Sequence, residues 1–145
     1  MQKDVVIEIK RIQEVDGETD CLEYMTTGQL GYDDQGCFYV SYDENEQMTA
    51  THTHVTIGRH RVTLSRQGEL NSDLVLEKGK RHLCYYDTGF GALMVGISTS
   101  ELSSSIAENG GELRMRYTVD INSGYASSNE VNIKVKEANP YVADC

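Results

Sequence analysis

The chain has 145 residues and a formal net charge of −10, with 23 acidic against 13 basic residues. A chain of this length forms one domain, here residues 1–145, and buries enough surface to fold without disulfide bonds. The acidic balance opposes nucleic-acid binding, and the first residues lack the basic start and apolar stretch of an export signal, so we expect a cytoplasmic protein that does not bind membranes.

Short runs of alternating apolar and polar residues fill the chain from Val5 to Val135, and turn signals interrupt them. In each run the apolar residues step by two, which places their side chains on one face of a strand. The runs predict ten strands, in chain order 4–13, 20–31, 37–43, 50–57, 60–66, 69–77, 80–87, 92–101, 112–121 and 129–137.

Most connections are of hairpin length, so consecutive strands are expected to pair antiparallel. The segment from Ser103 to Asn109 is predicted as the one helical turn, with Ser103 or Ser104 as its N-cap and Gly110 closing it. A chain of this kind favours closure into a barrel, because closure removes open strand edges. A two-sheet sandwich is the alternative, but its crossovers need long linkers. We therefore predict an all-β, antiparallel up-and-down barrel of about eight to ten strands.

A series of short motifs then follows in order along the chain. The motifs are Thr26-Thr27-Gly28, Tyr42-Asp43-Glu44, Arg66-Gln67-Gly68, Tyr86-Asp87-Thr88 ahead of Phe90-Gly91, and Tyr117 in the penultimate strand. Over about residues 4–137 the series resembles the YwiB-like family of small bacterial proteins. The resemblance implies a calycin-like, lipocalin-like β-barrel and a domain of unknown function, and it supplies no catalytic residues.

The four cysteines, Cys21, Cys37, Cys84 and Cys145, show no Cys-x-x-Cys spacing. Without an export signal they are predicted to be free thiols, and a disulfide framework is the alternative.

Two histidines, His52 and His54, stand two residues apart on one face of the predicted fourth strand, a geometry that zinc can use. His60 follows across the next turn. The apolar Val55 and Ile57 have the opposite parity, so the histidines are expected to face solvent. We predict no metal site.

Catalytic patterns are weak. The serines between residues 98 and 105 form no Gly-x-Ser-x-Gly elbow, and Gly89-Phe90-Gly91 lacks the following helix of a phosphate loop and is predicted as a tight hairpin. Carboxylate pairs such as Asp33-Asp34 and Asp43-Glu44 fall in turns, where solvation explains them. No catalytic residue and no cofactor are predicted, which favours a protein without enzymatic activity.

Another set of polar residues indicates a site more clearly than these patterns do. Its members have the same parity as the inward-facing apolar residues and lie near the ends of strands. If the strands alternate in direction, these ends meet at one mouth of the barrel, and the candidate ligand-binding residues there are Tyr42, Thr51, Thr53, Arg66, Asp87 and Tyr117. A buried arginine needs a counter-charge. Arg66 is predicted either to pair with Asp87 or Glu44 and fill the mouth, or to bind an anionic ligand.

The sequence thus predicts a lipocalin-like barrel that binds a small molecule or a protein partner. The alternative is a structural or interaction protein, such as a homodimer, whose barrel is filled by its own side chains. Large inward-facing residues such as Tyr24, Phe38 and Met115 favour a narrow interior.

Overall fold

The computed structural model describes residues 2–44, 51–68, 71–87 and 91–138, and leaves aside the side chain of Glu44. In these ranges ten strands pair antiparallel and close into one barrel, in which each strand lies beside its neighbours in sequence and β1 pairs with β10. The predicted up-and-down barrel is confirmed. The strands are β1 Gln2–Val15, β2 Glu18–Tyr32, β3 Phe38–Glu44, β4 Thr51–Ile57, β5 Arg61–Gly68, β6 Ser72–Glu77, β7 Arg81–Asp87, β8 Ala92–Ser104, β9 Gly110–Ile121 and β10 Gly124–Glu137.

The side chains that face into the barrel form its apolar core. In β1, Val5 and Ile7 are completely buried, and Val6 between them has the outward parity. The other strands alternate in the same way, and their fully buried residues include Leu30, Val40, Val55, Leu76, Leu113 and Ile133. Each such side chain stabilises the fold by roughly 1.5–3 kcal/mol, so the interior of the barrel holds the fold together.

Because the strands alternate in direction, their connections lie alternately at the two ends of the barrel. We call the end that carries the turns Asp16-Gly17 and Asn122-Ser123 the upper end. The opposite, lower end carries the loop 33–37 and the turn 58–60. The connections 45–50, 69–70 and 88–90, which include most of the predicted Gly89-Phe90-Gly91 hairpin, lie outside the described residues.

The helical turn predicted for 103–109 is wrong, because this segment is part of a hairpin. β8 continues to Ser104, and Ala107 and Gly110 then exchange two backbone hydrogen bonds of 2.9 and 3.1 Å. The hydroxyl of Ser104, predicted to cap a helix, instead accepts the N–H of Ile106 at 3.1 Å. Ile106 is buried, so burial of this side chain anchors the connection in place of helical hydrogen bonds.

The pairing between β6 and β7 is the shortest in the described part of the barrel. Two residue pairs are in register there, against fourteen between β1 and β2. Beyond them the N–H of Val75 donates to Sγ of Cys84 at 3.3 Å instead of to a backbone carbonyl. The barrel is therefore least tightly closed along this seam.

The described residues contain no helix that is long and apolar enough to cross a membrane.

Candidate binding cavity

Toward the upper end, the interior of the barrel changes from apolar to polar. One row of inward-facing residues crosses adjacent strands in register: Tyr42 pairs with Thr53, Thr53 with Arg66, Arg66 with Ser72, and Ser72 with Tyr86. We call these five residues the polar row. Burial of polar groups is costly unless they are hydrogen-bonded, so each member of the row needs a hydrogen-bond partner from the protein, from water or from a ligand.

Beside the polar row the barrel contains a cavity of about 240 Å³, which we call the upper cavity. Its apolar wall includes Leu64, Leu74, Leu93, Val95, Ile97 and Val119. Its polar lining consists of Arg11, Gln13, Arg66, Tyr86, Tyr117, Ser127 and Asn129. None of the described residues that line this cavity is acidic. The upper cavity therefore combines an apolar wall with positive charge.

Two arginines face the upper cavity from different strands. Arg66 continues the inward parity of Leu64 in β5, and Arg11 continues that of Ile9 in β1. Burial raises the pKa of the Tyr117 phenol, and the charges of Arg66 and Arg11 partly oppose that rise. Within the described ranges, no carboxylate oxygen lies within 4.0 Å of the Arg11 guanidinium. The positive charge is thus held inside the barrel, close to a buried phenol.

The remaining polar groups are fixed by hydrogen bonds along β1 and β10. Gln13 Nε2 donates to Asn129 Oδ1 at 3.0 Å, and Asn129 Nδ2 donates to Ser127 Oγ at 3.0 Å. Across the interior, the fully buried Oγ1 of Thr53 makes no hydrogen bond to any described residue. A hydroxyl both donates and accepts, so Thr53 offers a bond to a water or a ligand.

The structure brings most of the predicted site residues to the upper end. Tyr42, Thr53 and Arg66 stand side by side in the polar row, and Tyr117 lines the upper cavity from β9. Thr51 is buried two residues before Thr53, one step nearer to the upper end.

The inward orientation predicted for Asp87 is wrong. The inward-facing residues of β7 are Cys84 and Tyr86, and Asp87 has the parity of Leu83, whose side chain is exposed on the outer wall. Asp87 accordingly does not line the upper cavity. The inward-facing residue that stands in register with Arg66, across β6, is the phenol-bearing Tyr86.

Sequence reasoning missed Arg11, Tyr86 and Asn129. The signal for two of them was present, because Arg11 continues the period of two set by Ile7 and Ile9, and Asn129 precedes Val131 on the same face. Tyr86 gave no such signal, since the apolar residues beside it in β7 face outward.

Both histidines of β4 face outward, as their parity predicts. His52 Nδ1 lies 2.8 Å from Asp43 Oδ1, and His54 stacks on the ring of Tyr39 with centroids 4.8 Å apart. Burial, followed by the charge of His52, lowers the pKa of His54, and Asp33 opposes this shift. No group of three metal-ligating side chains is found in the part of the chain that the structure describes.

Three of the cysteines lie in described residues and are free thiols: Cys21 is exposed, Cys37 is half-buried and Cys84 is buried. Burial raises the pKa of the Cys84 thiol. Cys145 lies outside the described residues.

Comparisons with known proteins agree with the fold of the barrel. The "Uncharacterized beta-barrel protein YwiB" of Bacillus subtilis (strain 168) is 26% identical over 117 residues, which cover 81% of this chain and 82% of that protein. The crystal structure of the ywiB protein from Bacillus subtilis has the same fold, with a TM-score of 0.84 and 22% identity over 95% of this chain and 94% of that one. These relatives establish no function. The model of the family described as "Domain of unknown function (DUF1934)" matches residues 7–133, almost the whole barrel, and the chain therefore belongs to this family.

Proposed function

We propose that the upper cavity binds a small organic anion, a carboxylate joined to an apolar body, and that the protein is a binding module without enzymatic activity. The supporting observation is that Arg11 and Arg66 face one cavity whose described lining is otherwise neutral and largely apolar. The planar guanidinium group presents several N–H donors that match the two oxygens of a carboxylate. An apolar body would contact the leucine and valine side chains of the wall.

The volume of the cavity limits the ligand. About 240 Å³ lies below the range of roughly 300–1,000 Å³ that is typical of pockets for drug-sized ligands. It equals the liquid volume of about eight water molecules. Carboxylates of six to eight carbons are therefore the appropriate class, and longer chains would exceed the space.

A carboxylate of the protein is the alternative counter-charge for Arg66. Glu44 was one such partner expected from the sequence, but its side chain lies outside the described residues. Arg11 lines the upper cavity from β1, which is not a neighbour of the Arg66 strand β5 in the barrel. An internal counter-charge at Arg66 would make an added carboxylate superfluous, so a binding experiment separates the two cases.

Isothermal titration calorimetry with octanoate tests the proposal, with 1-octanol as the neutral ligand of equal chain length. We expect octanoate to bind more tightly than octanol. Arg11→Leu and Arg66→Leu should each weaken octanoate binding about 10- to 100-fold, because a hydrogen bond to a charged group contributes roughly 1.5–3 kcal/mol. Arg114→Leu is the matched control, since Arg114 is exposed on the outer face of β9.

Two results would contradict the proposal. One is equal affinity for octanoate and octanol, which would show that the charge is not recognised. The other is unchanged octanoate binding in both Arg11→Leu and Arg66→Leu proteins whose circular dichroism spectra match the original. Hexanoate and dodecanoate extend the test, because the cavity volume predicts that dodecanoate binds poorly.

We propose that the protein works in the cytoplasm, where thiols stay reduced. The buried free thiol of Cys84 and the exposed thiol of Cys21 suit that compartment.

A second candidate function is self-association, supported by one cluster on the outer wall. Leu83, Tyr85 and Met94 are 64%, 41% and 54% exposed, and Tyr85 pairs directly with Met94 across β7 and β8. Adjacent exposed apolar side chains of this kind often mark protein interfaces. If they form a homodimer, Leu83→Glu should give a monomer by light scattering, and Met25→Glu, which alters a similarly exposed side chain on β2, should not.

A further inference from the structure

The lower end of the barrel carries a second, larger recess. It has a volume of about 720 Å³ and lies between the loop 33–37, the turn 58–60 and the β8–β9 connection. We call it the lower pocket. Apolar side chains form its floor, among them Phe38, Ile57, Leu102 and Ile106. None of the described residues that line it is acidic, although the chain as a whole has a net charge of −10.

Three basic residues, Arg59, His60 and Lys78, line the lower pocket and are exposed. Within the described ranges, none of the three has a carboxylate oxygen within 4.0 Å. Their side chains therefore present basic groups at the rim of an apolar recess.

The neighbouring basic residues behave differently. Arg61, Lys80 and His82 all contact the carboxylate of Glu77, at 3.1, 3.3 and 3.0 Å. The two strand connections thus carry two sets of basic residues, one that meets an internal carboxylate and one that lines the lower pocket. A general excess of positive charge at this end would not explain why one set contacts Glu77 and the other lines the lower pocket.

We propose that the lower pocket is a second binding site, for an amphipathic phosphate: a phosphate monoester joined to an apolar ring or chain. The apolar part would lie on the floor, and the phosphate would meet Arg59, Lys78 and His60 at the rim. A phosphate monoester carries close to two negative charges at neutral pH, which suits several separate cations better than a single carboxylate does. The volume of about 720 Å³ leaves room for a bicyclic ring together with its phosphate.

This inference does not depend on the function proposed for the upper cavity. The two recesses share no lining residue. Between them lies a section of the core in which Val40, Val55, Leu76 and Leu113 are at most 1% exposed. A ligand in one recess therefore does not reach the other, and the two sites can be tested separately.

The experiment is calorimetry with 1-naphthyl phosphate on the full chain, with 1-naphthol as the neutral ligand of the same ring and inorganic phosphate as the ligand without a ring. We expect 1-naphthyl phosphate to bind more tightly than both. Arg59→Gln and Lys78→Gln should each weaken binding about three- to fivefold, the effect of one exposed ion pair, and the double variant about tenfold or more. Raising the salt concentration should weaken binding further.

Lys80→Gln is the matched control, because it removes the same charge two residues from Lys78 but from a side chain that contacts Glu77. It should leave the affinity unchanged, and so should Arg66→Leu, which alters only the upper cavity. Three outcomes would overturn the proposal: 1-naphthol binding as tightly as 1-naphthyl phosphate, Lys80→Gln reducing affinity as much as Lys78→Gln, or Arg66→Leu abolishing the binding.

Discussion

At the scale of single residues, close backbone approach explains part of the motif Thr26-Thr27-Gly28. Gly28 stands in β2 between Val5 of β1 and Tyr42 of β3. A Cβ atom built on Gly28 would collide with the backbone carbonyl oxygen of Ser41. A backbone oxygen cannot turn aside as a flexible side chain can. Glycine is therefore required here for space rather than for an unusual backbone conformation.

We predict that Gly28→Ala destabilises the protein by about 1–3 kcal/mol, the usual loss when a methyl group is forced into a packed site. Urea unfolding followed by circular dichroism measures this loss. The neighbouring Thr27 is exposed, so Thr27→Ala serves as the control and should change stability little. A Gly28→Ala protein as stable as the Thr27→Ala protein would show that β2 and β3 can separate without loss.

The pair formed by Arg81 and Asp120 predicts how stability depends on pH. Arg81 Nε and Nη2 donate to the two carboxylate oxygens at 3.0 and 2.7 Å, over Gly96, where a side chain would collide with both groups. The hydrogen bonds from Arg81 hold the pKa of Asp120 below its ordinary value of 3.8. The folded protein therefore binds a proton on Asp120 less readily than the unfolded chain, so the pair adds stability above the ordinary pKa and loses it as the pH falls through the lowered one.

Urea unfolding at pH 7, 5 and 3 tests this dependence. Between pH 5 and 3 the original protein should lose more stability than Asp120→Asn, because asparagine cannot be protonated in this range. Identical losses in the two proteins would mean that Asp120 is not held by Arg81 in solution.

At the scale of elements, the seam between β6 and β7 is held by a thiol. Sγ of Cys84 is the acceptor for the N–H of Val75, and Cys84 is almost completely buried. We predict that Cys84→Ala destabilises the protein by about 1–3 kcal/mol, because it leaves a buried N–H without its acceptor and opens a small cavity. Equilibrium unfolding under reducing conditions measures the change.

The control for this prediction is Cys21→Ala, which removes an exposed thiol and should leave stability unchanged. If the two variants were equally stable, the seam would not depend on the thiol. In that case, other contacts would have to hold β6 against β7.

The position and orientation of a strand could be predicted from the sequence where its apolar residues lie on one face only. The strands with apolar residues on the inner face only, such as β1 and β9, reveal both their position and their orientation. In β7 the pattern misleads, because the apolar Leu83 and Tyr85 face outward and the inner positions hold Cys84 and Tyr86. A period of two locates such a strand but does not distinguish its inner face from its outer one, so the sequence alone does not fix the orientation of Asp87.

The prediction of a helical turn after β8 was wrong for a different reason. Serines followed by a glycine suit the ends of a helical turn, but Ile106 is buried and its N–H is bonded to Ser104. Burial of Ile106 in the tertiary structure therefore determined the conformation of this segment and outweighed the local preference for a helical turn. The seam between β6 and β7 could not have been predicted either, since a sulfur acceptor leaves no mark on the hydrophobic pattern.

At the scale of the whole molecule, the barrel is divided along its axis. The middle of its interior is a packed apolar core, and the upper part holds the polar row and the upper cavity. Polar groups inside a barrel oppose folding unless they are paired. Arg11 and Arg66 both face the upper cavity at this end, and the central claim of the function proposed above is that this cavity binds an organic anion.

Nuclear magnetic resonance of the arginine Nε–H groups tests this claim most directly. The chain is labelled with ¹⁵N-arginine, the signals are assigned by single substitutions, and octanoate is added. The signals of Arg11 and Arg66 should shift together and saturate with octanoate, while Arg114 on the outer wall stays unchanged. Arg11 and Arg66 signals that move no more than the Arg114 signal as octanoate is added would contradict the claim that the upper cavity binds an organic anion.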